Sequence, residues 1–223
     1  MGTYQYNPSG GSWTFFAQSG ANGSGISANG SAFTIGNPSA PQGFQVAFIQ
    51  GTGSISQTLI GLIAGAIYQV TFAAAQRNNI YGAQSGQTWQ FKVDGATIGT
   101  YAPPQSATNY TTYSSTFSPS LAGSHTLAFV GSNANGGDNT VFIDNVQLSF
   151  VPVLASPNLG GQFVNGQIQI FWPADHTGWR LQMQTNLLAG TNWLTVLGSM
   201  FTNQFVSPLD LANGSVFFRL AYP

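Results

Sequence analysis

The chain's only carboxylates are Asp94, Asp138, Asp144, Asp175 and Asp210, and its only imidazoles are His125 and His176. A glycosidase of the common type needs two carboxylates facing one sugar, one of them kept protonated by its surroundings. Asp94 precedes a glycine in a hairpin-turn pattern, while Asp175 and Asp210 fall in the C-terminal part, so no such pair is expected. The histidines lie far apart in sequence, no Gly-x-Ser-x-Gly elbow occurs, and with no cysteine the usual three-ligand open metal site cannot be completed. Gly51-Thr52-Gly53 lacks the third glycine and the lysine of a phosphate loop, and reads as a turn. On these grounds the chain is expected not to be an enzyme.

Binding chemistry is better represented. Arg77 ends a strand-like run at the mouth of a polar loop that carries Asn78, Asn79 and Tyr81, and Gln90 and Lys92 alternate outward from the strand that follows. A planar guanidinium, amides and an exposed ring can hydrogen-bond sugar hydroxyls and stack on a pyranose face. The competing reading of Arg77 is that it bonds loop carbonyls and holds that loop. If it contacts ligand from an exposed strand end, its removal should leave stability nearly unchanged. Asn133, Asp138 and Asn139, in a second glycine- and asparagine-rich loop, are further candidates, with turn formation as their alternative role.

Composition narrows the partners. Charged residues make up 4% of the 223, net charge is −1, and there is no Glu. The four cations, Arg77, Lys92, Arg180 and Arg219, are scattered, whereas nucleic acid or anionic lipid would require them clustered. Nucleic acid is therefore not an expected partner. Weak mutual repulsion leaves self-association open. Lack of cysteine assigns no compartment. Met1-Gly2-Thr3-Tyr4 has neither a basic start nor an apolar run, so any export signal is expected upstream or missing.

These residues must be positioned by strands. The run from 58 to 75 is uncharged and long enough to suggest a membrane span, but Tyr68, Val70, Phe72 and Ala74 alternate with Gln69, Thr71, Ala73 and Ala75. That is strand period, and it predicts strands over 54–60 and 67–76 around a turn at 61–65, with no membrane span. Further strands are expected over 12–16, 43–50, 89–93, 96–101, 110–117, 125–130 and 141–150, with Asp94-Gly95 as the strongest hairpin signal. Short strands at regular spacing without helical pattern predict an all-β chain: a jelly-roll β-sandwich over 1–150, a linker at 151–157, and a small β-sandwich-like domain over 158–223. The small domain is expected to use strands over 162–172, 179–185, 192–197, 204–208 and 216–222, with Trp172, Trp179, Trp193 and Phe218 as core.

GFQVAFIQGTGSISQTL, AIYQVTFAAAQR, KVDGATIGTY, AGSHTLAFVG and GGDNTVFIDNVQLSF, in that order, resemble successive strands of the galactose-binding-like jelly rolls that serve as carbohydrate-binding modules in secreted bacterial polysaccharide-degrading proteins. The resemblance spans roughly 12–150. Residues 158–223 resemble small β domains at the C-termini of large secreted bacterial proteins. Together these imply a polysaccharide or oligosaccharide partner, a secreted or cell-surface location, and a non-catalytic binding module cut from a larger protein. A self-associating structural or adhesive protein is the alternative. The resemblance also implies a structural calcium with Asp144, in FIDNV, as a ligand. The family's other carboxylate belongs to an Asn-Gly-x-Phe-Glu strand, for which this chain, lacking Glu, has no counterpart.

Overall fold

The uncharged run is extended, not helical. The computed structural model describes residues 3–16, 23–78, 85–135, 138–185, 190–208 and 214–222. Its chain order begins β1 (Tyr4–Tyr6), β2 (Thr14–Phe16), β3 (Gly23–Ala28), β4 (Gln45–Gln50), β5 (Ser54–Leu62) and β6 (Tyr68–Gln76). It continues with β7 (Trp89–Val93), β8 (Ala96–Tyr101), β9 (Thr111–Phe117), β10 (Gly123–Gly131) and β11 (Thr140–Phe150). Among the described residues no helix is long and apolar enough to cross a membrane.

Two antiparallel sheets make the sandwich, one ordered β1-β3-β4-β11-β6-β9 and the other β2-β5-β10-β7-β8. The strands flanking Gly61 and Gly65 therefore do not pair as a hairpin. Gly61 and Gly65, at φ 77° and 74°, take backbone angles that L side chains resist, and between them the chain passes from one sheet to the other. Tyr68, Val70 and Phe72 are buried, as their alternation predicts, and β6 continues through Ala73, Ala74 and Ala75 buried on both faces. Between the sheets the Phe72 ring meets Phe129 edge-on at 4.8 Å and Tyr101 at 5.3 Å. Trp89 stacks on Tyr101 at 5.5 Å, an arrangement in which ring quadrupoles add to area burial.

Asp94-Gly95 forms the expected β7–β8 hairpin, both residues at positive φ (49° and 81°) as a two-residue turn of this hand requires. Asp94 also reaches beyond its turn. Its Oδ2 accepts from His125 Nδ1 at 2.6 Å and its Oδ1 from the Thr126 amide at 2.8 Å, fastening the turn to β10. The His125 hydrogen bond, then the Thr126 amide, holds the Asp94 carboxyl below the usual carboxylate range. Two strands were not expected: β3, whose Gly- and Ser-rich sequence hides any alternation, and β1, whose Tyr4-Gln5-Tyr6 alternates over only three residues. Gly25 in β3 has to be Gly, because a Cβ there would come within 2.0 Å of the Gln5 carbonyl.

By packing, one unit comprises Met1–Ile60, Tyr68–Phe117 and Ser124–Ser149, and the second Gly61–Ile67, Ser118–Gly123 and Phe150–Pro223. In the second, β12 (Gly160–Val164), β13 (Gln167–Phe171), β14 (Arg180–Gln184), β15 (Leu194–Thr195), β16 (Gln204–Pro208) and β17 (Phe217–Ala221) form sheets β12-β13-β16 and β15-β14-β17. The single strand expected over 162–172 is a hairpin. Asn165-Gly166, at φ 50° and 76°, is the same turn signal as Asp94-Gly95. Ile170, Trp172 and Leu181 form the core with Phe205, Phe218 and Leu220 against them. Trp179 is buried, its Nε1 donating to the Val153 carbonyl at 2.8 Å. Trp193 stands outside this core, half-buried with the Arg219 guanidinium 4.3 Å from its ring centroid.

Two outcomes test this account. Phe72→Ala should cost about 3–5 kcal/mol by chemical denaturation, because its ring is shared by both sheets, whereas Gln90→Ala, on the outer face, should stay within about 0.5 kcal/mol. Asp94→Asn keeps a residue suited to the turn and removes only the charge. Because the folded-state pKa of Asp94 is lowered, its contribution is present above the usual carboxylate range and lost as pH falls through the folded value. The difference in thermal midpoint between wild type and Asp94→Asn should therefore close on acidification; a constant difference would show that the charge contributes nothing.

Candidate functional site

Where β6 runs out, the Arg77 amide donates to the Thr140 carbonyl at 2.9 Å, fixing the residue beside the start of β11. Its side chain turns over the first unit's outer aromatic layer. The guanidinium lies 4.4 Å from the Phe33 ring centroid, donates from Nη2 to the Ala32 carbonyl at 2.9 Å, and pairs through Nη1 with Asp138. Phe33 is presented by a short hydroxyl-bonded loop: its amide donates to Ser31 Oγ at 3.1 Å, and Thr34 Oγ1 donates to the Ala28 carbonyl at 2.8 Å. Below it, Phe33 packs on Val46, Phe48 and Phe142.

The polar chain continues from Asp138. Its Oδ1 accepts from Gln50 Nε2 at 2.8 Å, and Gln50 Oε1 accepts from the Tyr6 hydroxyl at 2.5 Å. Burial, followed by the Asp138 charge, pushes the Tyr6 hydroxyl up to about 12, so Tyr6 stays a neutral donor at physiological pH. Tyr4, on the same strand, keeps 47% of its surface exposed with its ring 4.4 Å from that of Phe33. Tyr4, Tyr6, Phe33, Gln50, Arg77 and Asp138 thus line an open cleft of about 360 Å³. It offers aromatic faces beside one ion pair, one amide and one phenol. That set can stack and hydrogen-bond but contains a single carboxylate, already paired.

The structure brings two sequence candidates together here, Arg77 and Asp138. Arg77 is not exposed as expected, since only 12% of its side chain is accessible. Asn78 lies behind it, its amide donating to Asn37 Oδ1 at 2.7 Å and its Nδ2 to the Gly36 carbonyl at 2.8 Å. Tyr81 and Asn79 fall outside the described residues. Gln90 and Lys92 point out from β7, in the other sheet, and do not line this cleft; Gln90 Oε1 accepts from Thr97 Oγ1 at 3.4 Å. Asn133 is engaged in its loop, donating from Nδ2 to the Gly86 carbonyl at 2.7 Å and accepting from the Asn135 amide at 3.0 Å. Tyr4, Tyr6, Phe33 and Gln50 were missed. The signal was the pair of tyrosines two apart in a segment otherwise small and polar.

The calcium implied for Asp144 does not fit its surroundings. Asp144 Oδ2 accepts from the Gln42 amide at 2.8 Å, and among the described residues no group of three or more His, Cys, Asp or Glu gathers anywhere. An ion that takes six to eight oxygens is poorly served by one carboxylate so engaged.

The chain matches no protein-family model and no curated protein. Among solved structures, a cyclase from Fischerella sp. TAU in complex with 4-(1H-indol-3-yl)butan-2-one is similar at a TM-score of 0.50 and 18% identity, over 67% of this chain and 89% of that one. The CBM35 from Paenibacillus barcinonensis aligns at a TM-score of 0.40 and 13% identity over 67% and 98% of the two chains. The CBM22-1 xylan-binding domain of Xyn10C from the same organism aligns at 0.41 and 15% over 62% and 85%. The cyclase corrects the expectation that this chain is no enzyme. A sandwich of this architecture carries an enzyme, so the lack of a glycosidase carboxylate pair does not make the chain non-catalytic.

Arg77→Ala should lower stability by about 1–3 kcal/mol, because Asp138 and the Ala32 carbonyl lose their donor in a largely buried setting. At about 2–4 °C per kcal/mol for a chain of this size, the loss is readable as a shift of the thermal midpoint. The Arg77→Ala, Asp138→Ala double variant should lose less than the sum of the singles. Additive losses would mean the pair is not coupled.

Proposed function

We propose that the first unit is a carbohydrate-binding module that holds a polysaccharide or oligosaccharide against the Tyr4, Tyr6, Phe33, Gln50, Arg77 and Asp138 cleft. The observation that carries this is the exposed Tyr4 ring, 4.4 Å from Phe33, at the rim of a polar chain of phenol, amide, carboxylate and guanidinium. A pyranose has an apolar C–H face for such rings and hydroxyls that both donate and accept. The module would serve a larger secreted or cell-surface bacterial protein that acts on polysaccharide. Each hydroxyl contact contributes only ~0.5–1.5 kcal/mol net, so a lone cleft binds weakly and gains from attachment to further sites.

Self-association is the second reading. It is favoured by large apolar side chains left on the second unit's surface, with Leu194, Leu197 and Phe201 70%, 96% and 74% exposed, and by a net charge of only −1.

Affinity electrophoresis against a panel of plant and algal polysaccharides, beside size-exclusion at several concentrations, separates the two. Tyr4→Ala should abolish most of the retardation seen for wild type while moving the thermal midpoint by no more than about 1–2 °C, as for other exposed side chains. Retardation that survives Tyr4→Ala removes the cleft from sugar contact. Retardation by no glycan, with concentration-dependent assembly, favours the second reading.

A further inference from the structure

Of the residues lining the tyrosine cleft, Arg77 and Asp138 alone are charged, and they pair directly. Among the described residues no other cation lines it: Lys92 lies on β7 in the opposite sheet, and Arg180 and Arg219 belong to the second unit. The first unit's other cavity, of about 300 Å³ with Trp13, Phe15, Ile55, Phe129 and Ile143 among its walls, is lined by no cation among the described residues. Whether a sugar held in the cleft can carry a carboxylate, as uronic acids do, therefore turns on which member of the Arg77–Asp138 pair it meets.

It meets the anion first. Asp138 keeps 32% of its side chain accessible against 12% for Arg77, whose guanidinium is set against Phe33 and the Ala32 carbonyl. Nor can Asp138 turn aside. Its Oδ1 accepts from Gln50 Nε2 at 2.8 Å and Thr140 Oγ1 at 3.3 Å and its Oδ2 from Arg77, donors that come from β4, β11 and the end of β6. The balance of the two charges can be read at Tyr6, on the cleft wall. Burial does most to push its hydroxyl up and the Asp138 charge adds to that, while Arg77 lowers it by less than Asp138 raises it. At that position the pair is net negative. A carboxylate accepts hydrogen and donates none, so a sugar hydroxyl suits Asp138 and an ionised uronate does not. Like charges brought together in a partly desolvated site repel, and such repulsion is how a site refuses a close analogue of its ligand.

We propose that the cleft selects neutral sugars and refuses uronic acids, and that Asp138 is the residue that sets this specificity. The inference rests on the carbohydrate reading of the same cleft and adds the charge of the ligand to it.

Titration calorimetry of the full chain at about 0.15 M salt, where distant charges are screened, tests it with matched polymers: galactomannan, xyloglucan and a mixed-linkage β-glucan, each beside a form whose primary hydroxyls have been oxidised to carboxylates. Wild type should bind at least one neutral form and bind its oxidised counterpart at least tenfold more weakly. Asp138→Asn keeps the shape of the side chain and an oxygen for Gln50 while leaving the Arg77 charge unopposed, and should bring that ratio to one or below. Adding Tyr4→Ala to Asp138→Asn should abolish the binding gained, which places it in the cleft. Should Asp138→Asn fail to fold, Arg77→Gln removes the cation instead and should widen the ratio. Equal or tighter binding of the oxidised form by wild type, an unchanged ratio in a folded Asp138→Asn or Arg77→Gln chain, or gained binding that survives Tyr4→Ala would each overturn the proposal. Binding of neither form of any pair, by contrast, overturns the carbohydrate reading on which the inference rests.

Discussion

Gln76 and Gln87, both wholly buried, exchange hydrogen bonds across the end of the sandwich, and the positions of the loops around the cleft depend on that exchange. The Gln87 amide donates to Gln76 Oε1 at 2.9 Å and Gln76 Nε2 to the Gln87 carbonyl at 2.7 Å. Gln87 Nε2 reaches on to the carbonyls of Gly51 and Asn139, at 2.9 and 3.0 Å. Asn139 Oδ1 in turn accepts from the Gly51 amide at 2.7 Å. β6 and β7 belong to opposite sheets, so two neutral side chains stitch the sheets together where Arg77 and Asp138 emerge. A buried amide left without its partner costs ~1–3 kcal/mol, which makes such a network cooperative: each member is satisfied only while the others stay in place.

A chain this poor in charge has few other means of fixing loops. Carboxylates are spent singly, Asp138 on Arg77, Asp94 on His125 and Asp175 on His176, and neutral amides and hydroxyls do much of the remainder. The consequence for the cleft is that its guanidinium is held before any ligand arrives. Three interactions immobilise it: Phe33 below, the Ala32 carbonyl, and Asp138. A preorganised donor loses little freedom on binding, which is what the sugar contact proposed for this cleft would require. The same rigidity explains why Arg77 belongs to the stability of the fold as well as to the cleft.

The two cavities of the first unit differ for a simple reason of sheet geometry. One forms on an outer face, where β1 and the loop carrying Phe33 lay aromatic rings over a strand surface already lined by Phe48 and Phe142. The other forms where two strands stop pairing and the space between the sheets is left open to Trp13 and Phe15. The first is therefore polar and shallow. The walls of the second are mostly apolar.

Periodicity and turn chemistry were enough for the all-β class, the burial of Tyr68, Val70 and Phe72, the Asp94-Gly95 hairpin and most strands of both units, because alternation and positive φ are local properties. Asn165-Gly166 was equally legible and shows the limit of reading a strand through a turn signal. β1 and β3 were not legible, since Gly and Ser leave β3 without alternation and β1 is only three residues long; β3 forms against β4, and β1 against β3. The crossing of β5 and β6 to different sheets, the burial of Gln76 and Gln87, and the pairing of Arg77 with Asp138, sixty-one residues away, were decided by tertiary packing. Residues far apart in sequence become neighbours only when the sheets close, and a side chain's partners, unlike its strand period, leave no mark in the sequence around it.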